Sequence, residues 1–378
     1  MRDTQVRFYW QEGNFQNRFR TGVSLHSHTL HSRESLEFID RAVEKVPWLS
    51  GAVRKQRERY RAIKGREVDW SRAWWTPPLS ALQAWKVEKS QIEDTLGCEA
   101  LVSLTDHDNI EAGMQLSVMD ETRDCAMSVE WTVPYRRTFF HIGVHNLPAA
   151  DTGGVMRVLA AVTANPKEYE IERILEWIAS RHQAMNVFNH PLWDEKRIGM
   201  KLHLDCVYAF FRRFGSFLHA LELNGLRPWS ENQAVAQLAK KLNRPLISGG
   251  DRHGKEPNAC VNLTNAKTFS EFVEEIRQDG WSDVLFLPQY RESFQLRILQ
   301  NLCDIVEPHE NHSLGWKEWS DRVFYRTDEG DVKSVKVLWE HKFPSVVRRF
   351  VDLTRLGRHR QLRSALRYAF MERREFAL

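Results

Sequence analysis

Residues 22–28, GVSLHSH, show the pattern from which the fold of this chain can be predicted. A short apolar run, of the kind that forms a buried strand, ends in two metal-capable residues, His26 and His28. Residues two apart in a strand point to the same side, so these two imidazoles can hold one metal ion together. Histidine pairs also occur by chance on protein surfaces, so this pair alone does not distinguish a metal site from a chance pair.

The same arrangement recurs along the chain, since six further apolar runs end in polar residues. Stretches with helical spacing, such as residues 168–181 and 230–242, separate most of these runs. Alternation of strands and helices predicts parallel strands and an α/β fold. In such folds the carboxyl ends of the strands meet on one face, so the polar residues should converge there. The further runs are ALVSLTDHD (100–108), CAMSVEW (125–131), FFHIGVH (139–145), AMNVFNHP (184–191), LHALELN (218–224) and PLISGGDRH (245–253).

Composition is consistent with a large folded core and no membrane span. The chain has 378 residues, 42% of them hydrophobic, and no apolar run of the length that crosses a bilayer. Its first residues lack the apolar segment of a signal peptide. The five cysteines are scattered and form no CxxC pair, so we expect reduced thiols and a cytoplasmic location.

The polar residues at the strand ends are of the types that bind metal ions. His107 lies between Asp106 and Asp108, and a neighbouring carboxylate can hold the ring of a ligand histidine in place. Asp108 or Asn109 can also cap the helix that follows. A buried carboxylate such as Glu130 is costly unless it is paired or bound to a cation. Mixed histidine and carboxylate ligands suit Mn, Zn or Fe, and their number fits two divalent ions, or three. The eight predicted ligands are His26, His28, His107, Glu130, His141, His190, Asp251 and His253.

Two regions depart from the strand–helix rhythm. Residues 38–97 are rich in tryptophan and charge and predict a helical insertion or lid within a catalytic domain spanning residues 1–284. Residues 285–378 form a C-terminal extension, with a hairpin predicted around DEGD (328–331) and a basic helical tail.

The basic residues leave the choice of partner open. Residues 341–378 contain ten Lys or Arg against three Asp or Glu, and residues 54–61 are also basic. A solvated helix face is the simpler interpretation, and binding to nucleic acid or another polyanion is the alternative. We expect no membrane partner, and the sequence does not indicate an oligomeric state.

The ordered set LHSHT, LTDHD, VEW, HIGVH, NHP, LELNG and GGDRH resembles the PHP (polymerase and histidinol phosphatase) superfamily over roughly residues 20–265. The resemblance implies a distorted (β/α)7 TIM-like barrel with two or three divalent ions. It also implies hydrolysis of phosphate monoesters or diesters. It further implies that His26, His28, Glu130 and Asp251 surround one ion, that Glu130, His141 and His190 serve a second, and that His107 and His253 serve a third.

The chain departs from this family after the HxH motif. Relatives commonly place Asp or His five or six residues later, where this chain has Arg33 and Glu34. Arginine stays cationic and cannot bind a metal ion, so a third site requires Glu34 or His31 as substitute. Arg33 is predicted to bind a substrate phosphate instead. The alternative is that Arg33 is a surface residue, or that it pairs with Glu37.

These features together predict a metal-dependent hydrolase of phosphate esters, acting on a small phosphorylated metabolite or nucleotide. Metal-activated hydroxide would attack phosphorus, and His190 or His253 would protonate the leaving group. Two alternatives remain. One is a different metal-dependent hydrolysis, such as that of amides, and the other is a non-catalytic PHP scaffold with a regulatory or nucleic-acid-binding role. The predicted substrate contacts are Arg33, His145, Asn189 and Arg252.

Overall fold

The strands form three sheets in the computed structural model, which describes residues 4–37, 47–311, 314–340 and 342–370. In chain order the strands are β1 (Gln5–Phe8), β2 (Thr21–Ser24), β3 (Glu34–Ser35), β4 (Ala73–Trp75), β5 (Glu99–Val102), β6 (Val129–Tyr135), β7 (Thr138–His145), β8 (Met185–Phe188), β9 (Ala220–Asn224), β10 (Leu246–Gly249), β11 (Cys260–Thr264), β12 (Asp283–Phe286), β13 (Val323–Arg326) and β14 (Val332–Ser334).

The helices lie mostly between the strands. A serine cap at Ser80 begins the second helix with a capping box, and Gly97 ends it in the left-handed conformation. The α-helices are α1 (Pro47–Lys64), α2 (Ala81–Leu96), α3 (Glu111–Ser117), α4 (Thr152–Ala164), α5 (Glu168–Ala179), α6 (Met200–Phe214), α7 (Trp229–Leu242), α8 (Phe269–Glu274), α9 (Phe294–Val306), α10 (Val335–Leu338), α11 (Ser345–Leu356) and α12 (Arg360–Ala369).

Two sheets have five strands each and mix parallel with antiparallel pairs. The first has the order β1–β12–β11–β2–β5, in which β11 runs antiparallel to both of its neighbours. The second has the order β10–β9–β8–β7–β6, in which β7 runs antiparallel to both of its neighbours. Isolated backbone bridges link residues beyond the strand ends, at Ser27–Arg252, Ser103–Ala126 and His107–Glu130.

The predicted (β/α)7 TIM-like barrel is therefore wrong. Within the described residues the strands belong to three separate mixed or antiparallel sheets and do not close into one barrel. The prediction failed because not every apolar run leads into a helix. Strand β7 follows β6 after only two residues, Arg136 and Arg137, and pairs with it as a hairpin.

The third sheet joins the two regions that departed from the strand–helix rhythm. It has the order β14–β13–β4–β3 and is antiparallel throughout. The predicted hairpin around DEGD is confirmed, since β13 pairs with β14. Strand β4, from the predicted insertion, lies between β13 of the C-terminal extension and β3 near the first histidines. Residues 38–46 of the insertion and 371–378 of the tail lie outside the described residues.

The hydrophobic core has its largest cluster between the second sheet and helices α4 to α7. Another cluster lines the inner side of both five-stranded sheets, with Val23 and Leu25 packed in the same group as Met185, Val187 and Ile247. All five of these side chains are at most 1% exposed. This second cluster lies beneath the polar residues at the strand ends and gives them a rigid base.

The structure also bears on the membrane span and on the state of the cysteines. No helix among the described residues is both long and apolar enough to cross a bilayer. All five cysteines are free thiols, and four of them are buried.

Candidate metal centre

The metal-capable side chains meet where the strands of the two five-stranded sheets end. His26 and His28 follow β2, whereas Asp251 and His253 follow β10. The backbone of these two segments is directly joined, because His28 N donates to Arg252 O at 2.9 Å and Asp251 N donates to His26 O at 2.7 Å. The ends of two strands that are far apart in sequence are thus held side by side.

Four overlapping groups of side chains among the described residues can hold a metal ion. In each group one donor atom per residue lies within 4.8 Å of all the others. The groups contain all eight ligands predicted from the sequence and one further residue, Glu34. They are His28, Glu34, His107 and His253; His26, His28 and Glu130; His26, His190 and Asp251; and His107, Glu130 and His141.

Glu130 lies at the middle of these groups and is fully buried. Its Oε2 lies 3.0 Å from His26 Nε2, 3.4 Å from His28 Nε2 and 3.2 Å from His107 Nδ1. Its Oε1 faces the other side, 3.5 Å from His141 Nδ1 and 3.2 Å from His190 Nε2. One carboxylate thus presents each of its oxygens to a different set of imidazoles, as a ligand bridging two cations would.

Asp251 and Glu34 complete the cluster at two other positions. Asp251 Oδ1 lies 3.7 Å from His26 Nε2 and 3.5 Å from His28 Nε2. Glu34 Oε2 lies 3.4 Å from His107 Nε2 and 3.2 Å from His253 Nε2. The sequence offers Glu34 and His31 as alternative ligands for a third metal ion. Only Glu34 is in the cluster, whereas His31 Nδ1 pairs with Glu111 at 2.9 Å.

The hydrogen bonding of these atoms fits a bound cation. The buried atoms His26 Nε2, His28 Nε2, His107 Nδ1 and Glu130 Oε2 make no hydrogen bond. His26 Nε2 and Glu130 Oε2 are only 3.0 Å apart, but they are not aligned as donor and acceptor. Unpaired buried polar atoms are costly, and donor atoms that converge without bonding each other are typical of metal ligands.

The surroundings raise the pKa of some histidines of the cluster, such as His26, and lower the pKa of others, such as His28. Burial opposes a charge on His26, but Glu130 and Glu222 outweigh it and raise the pKa of His26 well above its usual value. Burial together with His253 lowers the pKa of His28 to about 3. Burial also opposes a charge on Glu130, but the surrounding imidazoles hold its pKa well below the usual range. Divalent cations displace such protons when they bind, so metal affinity should increase with pH.

Glu222 on β9 contacts the ring of His26 and the backbone amide of His190. Its Oε1 lies 2.5 Å from His26 Nδ1, and its Oε2 accepts a hydrogen bond from His190 N at 2.8 Å. The contact at Nδ1 leaves His26 Nε2 directed to Glu130 and Asp251. His253 is oriented similarly, because its Nδ1 donates to Asp251 O at 2.8 Å. Carboxylates and carbonyls commonly fix ligand imidazoles in this way.

Three of the four predicted substrate contacts are engaged within the protein. Asn189 Nδ2 donates to Glu130 Oε1 at 2.9 Å. His145 Nδ1 lies 2.8 Å from Ser103 Oγ, and burial lowers the pKa of His145 to about 3. Arg252 donates from Nε to Glu88 at 2.8 Å and is 5% exposed. These side chains therefore support the cluster from behind or beside it.

The fourth predicted contact, Arg33, lies on the opposite face of the third sheet from the cluster. Glu34 pairs with Trp75 across the sheet, and the Trp75 ring centroid is 5.9 Å from that of His253. Neighbouring residues in a strand face opposite sides, so Trp74 points away from His253. The exposed Arg33 guanidinium lies 5.4 Å from the centre of the Trp74 ring.

A recess leads from the surface to His141 and His190, and the wall includes Phe139, Trp193 and Glu195. Burial raises the pKa of Glu195, and the nearby His107 and His190 oppose that shift.

Behind Trp193, the guanidinium of Arg227 lies 3.9 Å from the centre of the indole ring and donates to Asp251 Oδ2 at 3.1 Å. Arg227 therefore holds one oxygen of Asp251, while the other faces the histidines.

Comparisons with known proteins give only distant likenesses. No protein-family model matches the chain, and no curated protein matches it. Similar solved structures include an amidohydrolase from Chromobacterium violaceum with bound sulfate and no metal, at 14% identity over 53% of this chain and 93% of that one, with a TM-score of 0.37. PsfC from Pseudomonas syringae PB-5123 has 14% identity over 75% and 97%, with a TM-score of 0.39. A protein described as a metal-dependent phosphoesterase from Bifidobacterium adolescentis has 14% identity over 68% and 95%, with a TM-score of 0.35. Likenesses this weak carry no functional argument.

Proposed function

We propose that this protein is a metal-dependent hydrolase of phosphate esters, of the PHP type. The observation that supports the proposal best is the central position of Glu130, whose two oxygens face separate sets of histidines. Such a carboxylate can bridge neighbouring cations. Paired cations stabilise both the attacking and the leaving oxygen of an in-line displacement, which is the chemistry of phosphatases and nucleases.

The charge of the cluster favours an anionic substrate. The four ligand groups contain three carboxylates, Glu34, Glu130 and Asp251, and six histidines that bind metal in the neutral form. With three carboxylates, two divalent cations give a net charge of +1, and three divalent cations give a net charge of +3. An excess of positive charge would attract a phosphate ester, whereas it would not attract a neutral amide. This argument favours phosphate esters over amides.

Bound divalent cations would supply Lewis acidity and an activated water. The protein's own residues set the rest of the chemistry. Glu222 fixes the ring of His26, and Arg227 fixes Asp251. Of the two predicted proton donors, His190 borders the recess, and it could protonate a leaving group only while its ring is not bound to a metal ion.

A substrate panel tests this function directly. Protein purified without chelator should contain two or three divalent ions per chain, Mn, Zn or Fe, as the ligand set suggests. It should hydrolyse phosphorylated metabolites or nucleotides faster than amide or carboxylic-ester analogues. Removing the metal should abolish the activity, and adding it back should restore it. Full activity in metal-free protein would contradict the proposal.

The same panel distinguishes the alternatives. Preference for amides over phosphate esters would assign the cluster to a different metal-dependent hydrolysis. Metal binding without turnover of any substrate would favour the non-catalytic scaffold. Nucleic acid as a partner is tested separately, by measuring whether affinity for a labelled oligonucleotide falls steeply with salt, as counterion release requires.

A further inference from the structure

The loop that carries Asp251 and His253 lies outside every sheet and is held from two sides. Residues 250–256 follow β10, and Asp251 has a φ of 53° in the left-handed region. Residues other than glycine adopt that conformation at a cost, and it persists only where the surroundings fix it. Asp251 and His253 belong to two different ligand groups, so the path of this loop affects both.

On one side, the fully buried carboxylate of Glu88 on α2 fixes the loop. Glu88 Oε1 accepts hydrogen bonds from Arg252 Nε at 2.8 Å and from Ser27 Oγ at 3.0 Å. Its Oε2 accepts from Ser24 Oγ at 2.8 Å and from Asn258 N at 3.1 Å. One carboxylate therefore ties together the segment that carries His26 and His28 and the loop that carries Asp251 and His253.

On the other side, Asp304 on α9 binds the main chain of the same loop. It is 1% exposed, and its Oδ2 accepts from Lys255 N at 2.8 Å and Glu256 N at 3.3 Å. The packing is close, because a Cβ added at Gly254 would lie 2.8 Å from Asp304 Oδ2. The other carboxylate oxygen of Asp304 pairs with Arg358 of the tail.

We propose that Glu88 and Asp304 are positioning residues for the metal centre, an inference that rests on the metal-dependent function proposed above. Neither belongs to any of the four ligand groups. Glu88 acts through Arg252, which lies between the two ligands in sequence, and Asp304 acts through the amides that follow His253. Together with the backbone hydrogen bonds to His26 and His28, they hold the loop in the path that brings Asp251 and His253 to the histidines. The C-terminal extension, through Asp304, thereby supports the metal centre.

The test measures metal affinity in the full-length chain. Wild type and the variants Glu88→Gln and Asp304→Asn are stripped with chelator and titrated with Mn²⁺ by calorimetry. The melting temperature of each is recorded without metal and with saturating Mn²⁺. Asp283→Asn is the matched control, because Asp283 is also a buried carboxylate paired with an arginine, Arg7, but lies in β12 away from the loop.

Both loop variants should bind Mn²⁺ about 10-fold more weakly than wild type, the lower end of the range for direct hydrogen-bond partners of metal ligands, because each carboxylate acts through an intervening residue. Their melting temperatures should also rise less on adding metal. Asp283→Asn should keep wild-type affinity and the wild-type rise, even if its metal-free melting temperature falls. If Glu88→Gln does not fold, the Mn²⁺ affinity of Asp304→Asn alone tests the proposal. Wild-type affinity in the loop variants overturns this inference only, whereas a wild-type chain that binds no metal overturns the proposed function as well.

Discussion

Glu130 and Glu34 each lie among histidines, but they are held by different parts of the molecule. Glu130 belongs to the seven-residue strand β6 of a core sheet and is fully buried. Glu34 belongs to the two-residue strand β3 at the edge of the third sheet and is 8% exposed. The Glu130 side of the centre is therefore built into the hydrophobic core. The Glu34 side depends on strands contributed by the insertion and by the C-terminal extension.

This difference suggests that the centre has a core part and an added part. Glu130 contacts five histidines that follow or lie in strands of the two five-stranded sheets. Glu34 contacts His107 and His253, and the neighbouring Trp75 ring packs beside His253. Substitutions on the two sides should therefore differ in how much metal they remove.

The largest effect should come from Glu130→Gln. The amide keeps the shape of the side chain but removes the charge shared by two ligand groups. Activity should fall by more than the roughly 10-fold to 100-fold loss seen for hydrogen-bond partners of metal ligands. Elemental analysis should show loss of most of the bound metal. Glu111→Gln, which removes an exposed carboxylate beside His31, is the control and should keep both. Full metal content in Glu130→Gln would show that Glu130 is not a ligand.

A smaller effect is expected from Glu34→Gln. Glu34 belongs to one ligand group only, so the variant should lose about one ion per chain and retain the others. Activity should fall less than in Glu130→Gln. The measurement is metal per chain for both variants side by side. Equal losses in the two variants would refute the division into a core part and an added part.

The smallest effect is expected from Arg33→Ala. Arg33 stacks on Trp74 on the face of the sheet away from the cluster, a contact worth about 0.5–1 kcal/mol at an exposed site. Metal content should match wild type, and KM for a phosphate ester should stay close to the wild-type value, because Arg33 does not face the cluster. Steady-state kinetics decide the matter. A large rise in KM would instead support the phosphate-binding role predicted from the sequence.

The local sequence pattern predicted the ligands around Glu130, whereas on the other side of the centre it left Glu34 and His31 as alternatives. His26, His28 and Asp251 come directly after apolar runs, so their convergence follows from local pattern. Glu34 follows no such run, and its strand exists only because β4 and then β13 pair beside it. Pairing between segments so far apart leaves no local signal.

Three features were missed for different reasons. The hairpin between β6 and β7 had a signal, since too few residues for a helix separate the apolar runs 125–131 and 139–145. In the structure the chain turns at Arg136 and Arg137, and Arg136 has a positive φ of 54°. Glu222 was visible in the run LHALELN as a charged residue within a buried strand. Glu88 had no signal, because a single glutamate in an amphipathic helix does not reveal which loop it will meet.

The third sheet also constrains the order in which the protein matures during synthesis. Strands β3 and β4 leave the ribosome before β5 to β12, but β13 leaves only after them. The nascent chain can assemble the histidines around Glu130 before then, whereas Glu34 gains its full sheet only after residues 323–326 emerge. The last cation to be acquired would therefore mark the pairing of β13 with β4.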